Sequence, residues 1–92
     1  MKITVEFNNK KYYFTQASEV AIFSNIIDTE YAEQHNEDEL LKFISLVNEC
    51  YLADTNETNI YDLTEYMAEN WDTVKNKSRY DILDNFYGSV EL

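Results

Sequence analysis

Asn59 to Val74, NIYDLTEYMAENWDTV, is the stretch that most narrows what this chain can fold into. At about 100° per residue, Ile60, Leu63, Met67, Trp71 and Val74 fall within one arc of roughly 80°. Asp62, Glu65, Glu69 and Asp72 fall within a second arc of the same width, centred opposite the first. The spacing predicts one helix over these residues, with one face on a core and the other carrying a column of carboxylates. The rest of the chain must supply the apolar layer that the first face covers.

Composition sets the limits for that layer. The 92 residues make a single domain, 1–92, with room for one core. At 45% hydrophobic and 15% aromatic the chain is too apolar for disorder, despite a formal charge of -11. That charge opposes direct binding to nucleic acid or to an anionic membrane, and it points to a partner with a positively charged surface. MKITVEF has no apolar run of signal-peptide length, and no stretch approaches the roughly 20 apolar residues of a membrane span. With one cysteine, Cys50, an internal disulfide is impossible, and the expectation is a cytoplasmic protein.

The charge is unevenly placed. Between Tyr12 and Val74 there are fourteen carboxylates and one base, Lys42. Lys2, Lys10 and Lys11 lie before this region, and Lys75, Lys77 and Arg79 follow it, where they can compensate the C-terminal dipole of the acidic helix.

Ile3 to Phe7 alternates as a half-buried strand does, and Lys11 to Thr15 is rich in strand-favouring aromatics. A two-residue turn at Asn8-Asn9 sets Val5 opposite Tyr12 and Ile3 opposite Phe14, with their apolar side chains on one side. Ser18 to Gln34 reads as a first helix with Val20, Phe23, Ile27 and Tyr31 on one face. Ile22 and Ile26 fall elsewhere, so this helix is either covered on two sides or exposes an apolar patch. Asn36 and Glu39 have capping-box spacing, and Leu40, Phe43, Ile44, Val47 and Tyr51 follow as the stripe of a central helix on which hairpin and acidic helix pack. Ser78 and Asp81 repeat the cap for a last helix with Ile82, Leu83 and Phe86 inward and Gly88 as its stop. The fold class is α+β, an N-terminal β-hairpin packed against three to four α-helices.

Three sites invite chemistry. Asp54, Asn56, Thr58, Asp62 and Glu65 fall at positions 1, 3, 5, 9 and 12 of a calcium loop, but Asn59 stands where that loop needs glycine, and Asn59 serves equally as a helix cap. His35 and Cys50 lack the companions of a zinc site or a nucleophilic pair, so no catalytic residue, metal or cofactor is assigned. The third is the column of Asp62, Glu65, Glu69 and Asp72, flanked by Tyr61 and Tyr66, whose rings can stack on guanidinium groups. Asp81 and Asp84 can extend it. Its charges advance roughly 5 Å per step along the helix, against about 3.4 Å for phosphates of one DNA strand. A groove that holds one can hold the other. The plainer reading is a solvated helix face, against which stands the absence of bases at i+4 positions.

A small, cysteine-poor, strongly acidic domain with such a column resembles the inhibitors carried by phages and mobile elements, the anti-CRISPR and DNA-mimicking antirestriction proteins. The resemblance is one of composition, covers the chain only in that sense, and transfers no individual residue. It implies a non-enzymatic inhibitor, in a bacterial cytoplasm, that occupies the nucleic-acid channel of a Cas nuclease or restriction-type enzyme. The alternatives are an adaptor that self-associates, as a homodimer for instance, through Ile22, Ile26 and the hairpin edge, and a calcium-binding helix-loop-helix module.

Overall fold

The computed structural model describes residues 2–7, 9–27, 36–54 and 59–90. An antiparallel hairpin of β1 (Ile3–Phe7) and β2 (Lys10–Phe14) leads into α1 (Ala17–Ile26), α2 (Glu37–Ala53), α3 (Ile60–Glu69), α4 (Trp71–Val74) and α5 (Arg79–Val90). This is an α+β arrangement, with the acidic stretch divided between α3 and α4.

The hairpin has the register that its apolar alternation demands: Ile3 pairs with Phe14, Val5 with Tyr12 and Phe7 with Lys10. Asn9 takes φ 66°, the left-handed conformation that asparagine tolerates and a two-residue turn requires. Asn8 lies outside the described residues. Tyr12 and Phe14 are buried, while Ile3, Val5 and Phe7 are half-buried. The rings of Phe7, Tyr12 and Phe14 surround Phe23 of α1 at centroid distances of 6.5, 4.8 and 5.6 Å. The hairpin therefore rests on α1 rather than on the central helix, because this aromatic cluster is its main apolar contact.

The first helix opens one residue earlier than Ser18, behind Gln16. The Glu19 carboxylate accepts the backbone N–H groups of Thr15 and Gln16, both at 3.1 Å, and satisfies donors that the helix start leaves over. Ser18 instead turns its hydroxyl to Oδ1 of Asn48, whose Nδ2 donates to Oε1 of Gln16 at 2.6 Å. This bonding lets α2 bury an asparagine. Residues 28–34 of the predicted extent, Tyr31 among them, lie outside the described residues. Ile22 and Ile26 are buried, because α1 packs against α2 and α3 besides the hairpin. Of the two readings of this helix the covered one therefore holds, and the exposed Ile22/Ile26 patch, with self-association through it, does not.

Asn36 caps α2 by accepting the N–H of Glu39 at 2.8 Å. Leu40, Phe43, Ile44, Val47 and Cys50 are buried along the helix, which packs against α1, α3 and α5. In α3 and α4, Leu63, Met67, Trp71 and Val74 are buried, as the periodicity predicts. The unbroken helix is not found. Asn70, at φ −116° and ψ 24°, interrupts it, and its Nδ2 donates at 2.8 Å to the Tyr66 carbonyl that already takes its backbone N–H. An asparagine side chain competing for a helix carbonyl is a known way to end a turn. Thr64 joins the buried side, its hydroxyl satisfied by the Ile60 carbonyl at 2.6 Å.

Ser78 caps α5 through the N–H of Asp81 at 3.3 Å, and Ile82, Leu83 and Phe86 are buried. Gly88 is not the stop. It has no positive φ, and the helix continues through it to Val90. No described helix is long and apolar enough to cross a membrane.

Candidate functional site: the acidic face of the third helix

The face is built from the helix start. Asn59 accepts the N–H groups of Tyr61 at 2.8 Å and Asp62 at 3.4 Å, which fixes the rotation of α3. Leu63 and Met67 are fully buried on one side, so Asp62, Glu65 and Glu69 stand exposed on the other. Among the described residues no base forms an ion pair with these three carboxylates. Asp62 sits in the first turn, where the helix dipole favours an anion. Glu69 closes the last turn, where the dipole opposes one, and Glu65 and Glu69 form a like-charged i,i+4 pair that costs about 0.2–0.5 kcal/mol. The arrangement sacrifices stability to keep charge outward.

The fourth member differs. Asp72 lies beyond the Asn70 break, on α4, with its side chain 95% exposed and Lys75 Nζ at 3.6 Å. The column is therefore three unpaired carboxylates on one helix and a fourth with a lysine beside it, rather than four in one row. That lysine stands at i+3 rather than at i+4. Such an exposed pair contributes little to stability, and it leaves Asp72 free to change partner. Lys75 thus serves Asp72, and Arg79 reaches Glu49 of α2 at 3.3 Å, so these two do not simply cap the dipole of the acidic helix.

The two tyrosines also separate. Tyr61 is 53% exposed beside the carboxylates. Tyr66 is half-buried and packs edge-on against Phe86 at 5.3 Å, so its ring belongs to the α3–α5 contact and not to a free stacking surface. The body of α5 packs on α2, and Asp81 and Asp84 are exposed on it.

The other candidates supply no comparable site. Asp54 accepts the hydroxyl of Tyr87 and Asn59 is a helix cap, while Asn56 and Thr58 of the proposed calcium loop lie outside the described residues, as does His35. Among the described residues no three His, Cys, Asp or Glu side chains gather around a point where a metal ion would sit. Cys50 is fully buried, and burial, reinforced by the neighbouring Glu49, pushes its thiol up to about 12. It is a core residue held far from thiolate chemistry.

Comparison with protein-family models, with curated proteins and with solved structures finds no match.

Proposed function

We propose that this protein is an acidic inhibitor that binds a basic, nucleic-acid-binding surface of a bacterial Cas effector or restriction-type enzyme and blocks its engagement of DNA or RNA. The observation that carries this reading is the outward face of α3. Asp62, Glu65 and Glu69 are exposed and held at fixed spacing by a helix whose opposite face is core. The ring of Tyr61, next to Asp62 in the chain, is exposed as well, and Asp72 is exposed on α4 beyond the Asn70 break. A groove of Arg and Lys that tracks phosphates meets there a rigid series of negative charges, which requires no ordering on binding. The chain's net charge of -11 adds a long-range field that speeds encounter with a cationic groove and repels competing nucleic acid. Asp81 and Asp84 are two further exposed carboxylates, on α5. No reaction is proposed for this face.

The test is target-DNA binding by a panel of purified Cas effector complexes and restriction enzymes, titrated with this protein at low and high salt. Inhibition of at least one member that weakens steeply as salt rises supports the reading. Inhibition indifferent to salt, or none across the panel, contradicts it.

A further inference from the structure

In the hairpin, bases outnumber carboxylates. Residues 2–14 hold Lys2, Lys10 and Lys11 against a single carboxylate, Glu6, in a chain that is elsewhere strongly negative. The sheet has only two strands, and fewer than three are marginal by themselves. Its strands are unequally covered: Tyr12 and Phe14 of β2 are buried, whereas Ile3, Val5 and Phe7 of β1 keep part of their apolar surface in solvent.

The open edge has a definite pattern. With the connection closing at Phe7 and Lys10, hydrogen-bonded and non-hydrogen-bonded pairs alternate down the ladder. Val5 and Ile3 thus bond to β2, while Thr4 and Glu6 turn their N–H and C=O groups away from it. Among the described residues nothing outside the hairpin hydrogen-bonds to Thr4 or Glu6, and both side chains are exposed. No proline or bulge blunts this edge, in the way such edges are usually protected.

We infer that β1 is a self-association edge, on which β1 of a second copy pairs antiparallel about a twofold axis to form a four-stranded sheet. One register satisfies every constraint. Thr4 faces Thr4 of the second copy, and each Glu6 faces the other copy's Lys2, whose ammonium lies over its own Tyr13 ring at 4.6 Å in the single chain and must turn from it to the new edge. Ile3 and Val5 meet across the axis on the apolar side. A slip of one residue turns the second copy's apolar side to solvent. A slip of four residues toward the turn sets Glu6 against Glu6, and a slip of two leaves Lys2 without its acid. The paired edges are short, so the dimer is weak and concentration-dependent.

Sedimentation of the full chain from micromolar to millimolar concentration tests this. Wild type shifts from monomer towards dimer as concentration rises. Thr4→Pro places the ring where the N–H points outward, so the hairpin survives and the dimer is lost. Glu6→Lys and Lys2→Glu each weaken dimerisation by about three- to ten-fold, and the double swap restores it, because the facing pairs become opposite in sign again. Glu6→Lys is the sharper case, since it lowers the net negative charge and would strengthen any association limited by general repulsion. Circular dichroism and melting temperature verify that each variant is folded, and Asn85→Lys, at an exposed position of α5, controls for charge alone. A monomer at every concentration overturns the inference. So does a dimer that survives Thr4→Pro, or one abolished by Glu65→Lys/Glu69→Lys, which would mean that lysines of one copy dock on the acidic helix of another.

Discussion

The indole N–H of Trp71 donates to the Glu39 carboxylate at 2.7 Å, joining α4 to the first turn of α2 across 32 residues of sequence. The Trp71 ring also meets Phe43 at 5.2 Å in an edge-to-face arrangement. Glu39 thus leaves the reciprocal capping role that its spacing suggests and anchors the segment that follows the Asn70 break. Hydrogen bonds to charged groups contribute about 1.5–3 kcal/mol, so Glu39→Ala and Trp71→Phe should each lower unfolding free energy by an amount of that order. Urea titration of both single variants and the double variant checks this. The coupling between them should exceed about 0.5 kcal/mol, and additive effects would contradict the contact.

The two tyrosines near the acidic face should respond differently. Tyr66→Ala removes a ring packed on Phe86 and should destabilise the fold by about 2 kcal/mol. Tyr61→Ala removes an exposed ring and should leave the melting temperature within a degree or so while weakening target binding. Thermal melts and a binding titration on both variants separate the roles.

Much of this was legible in the chain and some was not. The hairpin register follows from Ile3, Val5, Tyr12 and Phe14, since any slip by one residue would turn lysine and threonine inward. The buried sides of α2 and α3 follow from apolar spacing that packing has no reason to disturb. The Asn70 break left no trace in that spacing, because Trp71 and Val74 stay in phase across it. Thr64 looked polar, yet its hydroxyl finds a carbonyl within its own helix and can be buried. Gly88 resembled a stop, but a glycine ends a helix only where φ turns positive. Long-range pairs such as Glu39 with Trp71, or Ser18 and Gln16 with Asn48, have no local pattern at all.

Gly88 offers a stabilising change. It is helical and exposed, and a Cβ built on it meets nothing within 4 Å. Gly88→Ala should therefore raise stability by about 0.5–1 kcal/mol, read as a higher urea midpoint at unchanged slope. An unchanged or lower midpoint would mean that α5 does not persist through this residue.

Cys50 gives the chain an alkaline limit. Its folded-state pKa is raised from 9.0 to about 12, mainly by burial, with Glu49 adding to the effect. Below pH 9 both folded and unfolded states hold the proton, and the thiol makes no pH-dependent difference. Between pH 9 and 12 only the unfolded state gives it up, so stability falls as pH rises, by up to about 1.4 kcal/mol per unit from this group. Stability measured against pH for wild type and Cys50→Ala should show the shallower decline in the variant. The native thiol should also resist a disulfide reagent at neutral pH and react once urea unfolds the chain.

The central claim is that the exposed carboxylates of α3 are the contact surface for a cationic, nucleic-acid-binding partner. The most direct measurement is the affinity of Glu65→Lys/Glu69→Lys for the enzyme that the wild-type protein inhibits, with folding verified by circular dichroism. Both side chains are exposed, and the substitution relieves the repulsion at the end of α3, so the variant should fold. Its affinity should fall by about a hundred-fold or more, and the steep salt dependence of the wild-type complex should flatten. Wild-type affinity in the reversed variant would show that this face is not where the partner binds.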